Sequence, residues 1–476
     1  MGSKHGTGED TYPADAWDID SYRRAEEEMA QMRIPQFLRE ANPHDRLFIT
    51  GLDGTGNSKY KESPERWSVV AKANEHLIGL SDDVKKYVAA GYVQGTFTQD
   101  NPLLRYPDGA FGHSFEERVE TAYYQFCEQA GKWLREDPQA QIRIVGVGFS
   151  RGAEEVAALT RMVHERGIQN PETAEVRWNQ AERIVTHVAY HGPPLIPPGQ
   201  TLQAALLLDP VSTGVTEHDR RLAPSVVSAL QITAQDERRD QFKSNLLLQP
   251  GVSEDGRFAN VLVGGAHSDV GDTYTTNGLG TLSYNASVAF LNRFSDTPLL
   301  ERRQEPEAPS MYAVHRSDRG SILWTARSFR DGARDTRDDL APSSACAPVT
   351  AEQCRRREPA DPALGRRADE LTPAMPRSLH EGAFETREQR ELREFSERME
   401  RMIGAADRGE WGSFRRDQQE LANSDNGRRL IERSSIVVDR WEEQVRMADM
   451  QRMAEIQAQQ QAAQEQQRSH SRGFAR

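Results

Sequence analysis

No stretch of this 476-residue chain approaches the roughly 20 consecutive apolar residues a helix needs to cross a bilayer. Its opening segment, MGSKHGTGEDTYPADAW, also lacks the apolar core of a secretory signal. The chain is therefore expected to be soluble and cytoplasmic in its producer, and any export to use a machine that reads another signal. Cysteine is scarce: Cys127, Cys346 and Cys354 are the only three, with no CxxC spacing. The absence of that spacing argues against the usual zinc motifs and a disulfide scaffold. Cys346 and Cys354 share one polar stretch and can pair in an oxidising compartment or stand as two surface thiols. Aromatic residues make up 7% and hydrophobic residues 37%, the latter lowered by polar stretches near the C-terminal end. A basic excess is missing as well: the formal net charge is -13, so the broad basic face of a dedicated nucleic-acid binder is not expected. No repeat of fixed period is visible.

What is present begins with GLDGTGNSK at 51–59, directly after the apolar run Leu47-Phe48-Ile49. A phosphate-binding Walker A loop places its lysine immediately after the last glycine, so that the ammonium starts a helix and reaches the phosphates. Here Asn57 and Ser58 intervene before Lys59, and Pro64 would interrupt the helix that should follow. The stretch reads instead as an apolar strand ending in a glycine-rich turn.

From about 45 to 330, short apolar runs alternate with helical patterns, the signature of a mostly parallel α/β sheet flanked by helices. Strand candidates are RLFIT (46–50), IRIVGVG (142–148), IVTHVAY (184–190), AALLLD (204–209) and NVLVGG (260–265). All but IVTHVAY are largely apolar, as strands covered on both faces should be. Between them, Val119, Ala122, Phe126, Ala130, Trp133 and Leu134 fall at helical spacing and mark a core-facing helix. The expected organisation is a helical segment at 1–40, interrupted at Pro35; a catalytic domain at 41–330; a Pro-, Arg- and Asp-rich linker or loosely ordered segment at 331–382; and a charged helical extension with a Gln-rich tail at 383–476. That last region reads as a solvated helical tail.

Chemistry is concentrated at IVGVGFSRGAEEV, 144–156. An apolar strand runs into Gly148-Phe149-Ser150-Arg151-Gly152 and then into a helix-forming sequence, the frame of a nucleophile elbow. A strand turning sharply into a helix strains its central residue and brings backbones close, which is why glycines flank the serine. Ser150 is thus the candidate nucleophile, with the Arg151 N–H and donors from Asp53, Gly54 and Thr55 as candidate oxyanion partners. The base and its orienting carboxylate should follow in the order Ser, Asp, His. Asp209 ends a strand before Pro210, where ligands sit in open α/β sheets, although an aspartate there can also simply cap a turn. His267 lies among glycines and acids just past another strand. His315, after the strand-like MYAV, is the competing base, and with it Asp269 becomes the acid. His187 and His191 lie on or just after a strand and are weaker candidates.

GLDGTGN, GFSRGA, LLDPVSTG and GAHSDVG, in this order over about 45–275, resemble the α/β-hydrolase family that contains the type VI secretion phospholipase effectors of Gram-negative bacteria. The resemblance implies a Ser150-Asp209-His267 triad without metal or organic cofactor, and release of fatty acid from glycerophospholipids of a rival cell's membrane. It also implies contact-dependent export to the target periplasm or membrane, a secretion-machine component as partner, and a neighbouring immunity protein. Two positions depart from the family pattern: Pro210 stands in its usual Asp-Thr-Val, and Asp272 ends its His-Ser-Asp-Val-Gly-Gly. The tail also faintly resembles the recognition domains of antibacterial effectors exported by type IV machines. A soluble-substrate esterase or thioesterase, and a non-enzymatic interaction protein on a hydrolase scaffold, are the alternative functions. Exposed apolar residues in SILWTARSF (321–329) are a candidate membrane contact or, equally, core.

Overall fold

The computed structural model describes residues 10–96, 98, 114–316, 334–347, 350, 354–359 and 361–373. The chain divides into two compact units, 1–373 and 374–476. The helical extension expected at 383–476 and the SILWTARSF stretch lie outside the described residues.

In chain order the elements are β1 (Thr11–Pro13), α1 (Ala16–Ala30), β2 (Asp45–Leu52), α2 (Val69–Ile78), α3 (Asp82–Lys85), β3 (Val88–Val93), α4 (Phe115–Glu136), β4 (Gln141–Phe149) and α5 (Arg151–Arg166). There follow β5 (Ala174–Asn179), β6 (Ile184–Tyr190), β7 (Gln203–Leu208), β8 (Val226–Ala234), β9 (Ser244–Asn245), β10 (Gly251–Val252) and β11 (Phe258–Val263). The remainder are α6 (His267–Val270), α7 (Gly278–Asn292), β12 (Ala313–His315), β13 (Thr336–Arg337), α8 (Ser343–Cys346) and α9 (Pro362–Leu371).

Seven strands form one sheet in the order β10-β11-β8-β7-β4-β2-β3. Every neighbouring pair is parallel except β10 with β11. This is the expected α/β class. The apolar runs became β2, β4, β7 and β11, and β2 and β7 are buried along their whole length. Helices cover both faces, leaving two hydrophobic clusters: one includes Tyr22, Val70 and Phe290, the other Phe126, Trp133 and Val156. α4 buries Val119, Ala122, Phe126, Ala130 and Trp133 as its spacing predicts, while Leu134 is only partly buried at the edge of the second cluster.

The structure corrects several expectations. IVTHVAY is β6, which pairs antiparallel with β5 in a separate two-stranded ribbon. Its burial alternates less cleanly and three of its residues are only partly covered, so it lacks the double-sided cover that a central parallel strand requires. A central strand, β8, was missed because VVSALQITA carries Ser228, Gln231 and Thr233, yet all nine of its residues are buried. Two of the three are satisfied locally: Gln231 donates to Thr233 Oγ1 and Asn245 O, and Thr233 donates to Asn260, while the Ser228 hydroxyl is buried with no hydrogen-bond partner among the described residues. α1 ends at Ala30, before Pro35.

The segment expected as a linker at 331–382 is ordered where it is described. Thr336–Arg337 pair in parallel with Ser244–Asn245, and Cys346 is bonded to Cys354. α9 is capped by the Asp361 carboxylate, which accepts from the Ala363 and Leu364 N–H groups, and starts on proline. It buries Leu364 and Ala368 in the first cluster, and the Gln36 N–H closes onto Leu371 O at 2.8 Å. A composition dominated by Pro, Arg and Asp hid one short apolar stripe. Leu364→Ala is expected to destabilise the fold by about 2–3 kcal/mol, seen as a lower urea midpoint; an unchanged midpoint would mean that α9 rests on the surface without supporting it.

Candidate active site

The parallel register of β4 and β7 places Phe149 opposite Leu208, so the next residue on each strand, Ser150 and Asp209, leaves the sheet at the same level. Both turn through positive φ, 58° at Ser150 and 38° at Asp209. Such conformations cost a non-glycine residue about 1–3 kcal/mol each and persist only where the surroundings over-determine them. Here they do: the Ser150 N–H donates to Leu208 O at 2.9 Å and the Val211 N–H to Ser150 O at 3.3 Å. Gly152 lets α5 begin against the end of β2, since a Cβ there would collide with the backbone of Leu52 and Asp53. Ser150 stands at the N-cap position of α5 but its side chain makes no cap hydrogen bond. Its hydroxyl is therefore not consumed by the helix start.

His267 opens the short helix α6, four residues beyond β11. Its Nδ1 lies 2.6 Å from Asp209 Oδ2. Its ring stacks on Phe149, the residue before Ser150, at 4.6 Å between centroids, and meets Phe242 edge-on at 5.1 Å. With Nδ1–H donated to the carboxylate, Nε2 keeps its lone pair. Asp209 is fully buried. Its oxygens also accept from the Ala234 N–H at 3.0 Å and from Arg334 Nη2 at 3.0 and 2.8 Å. Burial alone would raise the Asp209 carboxyl, but Arg334, His267 and the Ala234 N–H outweigh it and hold it below the usual carboxylate value. Burial pulls His267 below the ordinary histidine value, against the opposing pull of Asp209. Nearby, Glu237 and Arg239 form a buried two-pronged pair at 2.9 and 2.7 Å. Against its burial, the charges of Arg239, Arg334 and His267 hold Glu237 at about 2.

The competing residues form a pair of their own. His315 Nδ1 lies 2.6 Å from Asp269 Oδ1, and the His315 N–H donates to Asp269 Oδ2 at 3.1 Å. His315 sits in β12, paired with β1 in a small ribbon apart from the main sheet. It thus lies within a peripheral strand, not just past the end of a strand of the main sheet. Asp269 Oδ2 also accepts from the Ala266 N–H at 2.9 Å, so this pair braces the turn that carries His267. His187 and His191 are exposed in the β5–β6 region.

In the glycine loop, Asp53 is buried and accepts from Tyr92 Oη at 2.6 Å and from the Gly54 N–H at 2.8 Å. Burial raises its carboxyl despite those bonds. The Asp53 N–H goes to Val93 O at 3.0 Å. The Asp53 and Gly54 N–H groups, both expected as oxyanion donors, are thus engaged with Val93 and with the Asp53 carboxylate. Lys59 donates to Asn74 Oδ1 at 2.7 Å and pairs with Glu75, far from the role of a phosphate lysine. Asp272, at the departure from the family pattern, has φ 55° and is clasped by Lys72 at 2.6 Å and Arg303 at 2.7 Å. That conformation suits glycine, and aspartate is among the few other residues that tolerate it. Arg334 was not foreseen: 125 residues separate it from Asp209, and no sequence spacing signals the contact. Among the described residues, no three His, Cys, Asp or Glu side chains cluster as metal ligands would.

Residues 46–193 match the family described as T6SS, phospholipase effector Tle1-like, catalytic domain. No curated protein matches the chain. Similar solved structures include an uncharacterized protein from Pseudomonas aeruginosa, 15% identical over 86% of this chain and 66% of that one, with a TM-score of 0.36. The Tle1 effector bound to the VgrG spike of the type 6 secretion system is 21% identical over 48% and 51%, with a TM-score of 0.28. An esterase from Pyrobaculum calidifontis is 13% identical over 58% and 91%, with a TM-score of 0.24. The chain thus spans only 66% and 51% of the first two of these proteins.

The elbow's dependence on a bare backbone is open to test. Gly152→Ala should force α5 and the end of β2 apart at a cost of about 1–3 kcal/mol, lowering the thermal midpoint and the reactivity of Ser150 together. A variant with wild-type midpoint and reactivity would show that the contact yields without consequence.

Proposed function

With residues 46–193 matching the Tle1-like catalytic domain, and the chain resembling that family of type VI secretion phospholipase effectors, we propose that this protein is a serine ester hydrolase acting on membrane glycerophospholipids. The observation that carries the reading is the buried His267–Asp209 hydrogen bond of 2.6 Å beside a serine held at positive φ. His267 Nε2 takes the proton from Ser150 Oγ as the oxygen attacks the ester carbonyl. Asp209, bonded to Nδ1–H, fixes the tautomer and stabilises the imidazolium. The N–H groups of Arg151 and Thr55 receive the oxyanion. The protonated His267 then delivers its proton to the leaving glycerol oxygen. Water, activated by the same histidine, releases the fatty acid from the acyl-serine.

In the same reading the protein is exported by a contact-dependent machine, binds a spike component of that machine, and acts at the target cell's membrane. A protein that cleaves common membrane lipids endangers its producer, which calls for an immunity protein covering the cleft. No helix among the described residues is long and apolar enough to span a bilayer.

Ser150→Ala is expected to abolish fatty-acid release from phospholipid vesicles while leaving the thermal midpoint near wild type; full residual release would sink the proposal. Faster hydrolysis of a short soluble ester than of vesicle lipid would favour a soluble-substrate esterase. No fluorophosphonate labelling of Ser150 would favour a scaffold without activity. The pH dependence has a defined sign. Burial lowers the His267 pKa, so the neutral base persists below the ordinary value of about 6.5 and is lost only as pH falls through the lowered one. The acid limb of kcat/KM should therefore have its midpoint below about 6.5, and a midpoint above that value would contradict the assignment.

A further inference from the structure

The contact that no motif announces is Arg334 on Asp209. Its Nη2 reaches both carboxylate oxygens, at 3.0 and 2.8 Å. Its Nε and Nη1 are buried with no hydrogen-bond partner among the described residues. A buried arginine that serves the fold normally spreads its donors over carbonyls, since each donor left unpaired costs about 1–3 kcal/mol. Arg239 illustrates the alternative: it spends Nε and Nη2 on the two oxygens of Glu237. Arg334 gives up such pairing and its hydrogen bonds go to Asp209 alone.

The chain delivers it there by a defined route. Asn245 N–H donates to Pro210 O, the carbonyl of the residue after Asp209, at 2.8 Å. Val211 forms a bridge with Ser244. Ser244 N–H in turn donates to Asp335 O at 3.0 Å, and Lys243 pairs with Asp335 at 2.7 Å. Arg334 and Asp209 are thus fixed at the two sides of one short ladder.

We propose that Arg334 is a positioning residue that acts through Asp209, holding the carboxylate against His267 and sharing its charge. This rests on the reading of Ser150, Asp209 and His267 as a triad. Two groups compete for the same oxygen: Asp209 Oδ2 accepts from both His267 Nδ1 and Arg334 Nη2. The guanidinium keeps the buried carboxylate ionised, and it also screens His267 from that charge, so the imidazole does not retain its proton too tightly. The other charged groups facing His267 are Glu237 and Arg239, which neutralise each other.

Removing the cation changes this balance in one direction. If Asp209 stays ionised, its unshared charge stabilises the imidazolium; if it loses its charge, the Asp209–His267 pair has taken up a proton that it would otherwise have shed. In either case the pair holds its proton to higher pH.

The test is the pH profile of fluorophosphonate labelling at Ser150 in the full chain, with Arg334→Gln, Arg334→Met and Arg334→Lys beside wild type. The Gln and Met variants should move the acid midpoint upward by about one unit or more, slowing labelling at pH well below the midpoint about tenfold per unit. Lys, which keeps the charge, should return the midpoint toward wild type. Should Gln fail to fold, Met carries the same reading, with the urea midpoint recorded for each. A midpoint unmoved in the folded Gln or Met variant, with rates lowered equally at all pH values, would overturn the proposal and leave Arg334 a packing residue. Wild-type chain that is not labelled at Ser150 would instead overturn the triad reading itself, a separate outcome.

Discussion

A carboxylate without solvent exposure governs this structure. Asp209 directly follows β7 in the interior, and an ion there is tolerated only if donors replace the water it has lost. The donors come from three distant stretches: the Ala234 N–H at the end of β8, His267 beyond β11, and Arg334 after the sheet is complete. Each is supplied by a different chain segment, so the site exists only when the sheet, the α6 turn and the β9–β13 ladder are all formed. The carboxylate is in this sense the point at which the fold closes.

Strain is stored at the same place. Among the described residues four non-glycines have positive φ, and Ser150, Asp209 and Asp272 are three of them. Each is held by specific partners: Ser150 by the Leu208 and Val211 backbone, Asp209 by its donors, and Asp272 by Lys72 and Arg303. The rigid parallel register of β4 against β7 makes this affordable, because it brings Ser150 and Asp209 out of the sheet side by side. The second pair, His315 with Asp269, secures the turn before His267 through the Ala266 N–H. The two histidine–aspartate pairs that compete on paper coexist in the molecule, one at the end of the central sheet and one supporting it.

Much of the main sheet and of the candidate site is legible in the sequence because its signals are local. An apolar run followed by Gly-x-Ser-x-Gly and a helix former specifies strand, turn and helix within a dozen residues, and β2, β4, β7 and β11 were all marked by continuous apolar character. β8 was not, since Ser228, Gln231 and Thr233 break its apolar run, and the partners of Gln231 and Thr233 are supplied only by folding. IVTHVAY failed in the opposite way: its β-forming residues build a peripheral ribbon, and nothing in the run itself says which partner strand it takes.

The sequence by itself determined the fold class, the elbow at Ser150, and a shortlist of acids and histidines, because these depend on short-range patterns of size, polarity and backbone freedom. Only the tertiary structure decided which histidine meets which carboxylate, that the loop's Asp53 and Gly54 N–H groups are already engaged, that part of the expected linker packs as α9, and that Arg334 reaches Asp209. Those contacts join distant segments, 58 residues apart for His267 with Asp209 and 125 for Arg334 with Asp209, and what creates them is strand order and register, quantities that no local spacing encodes.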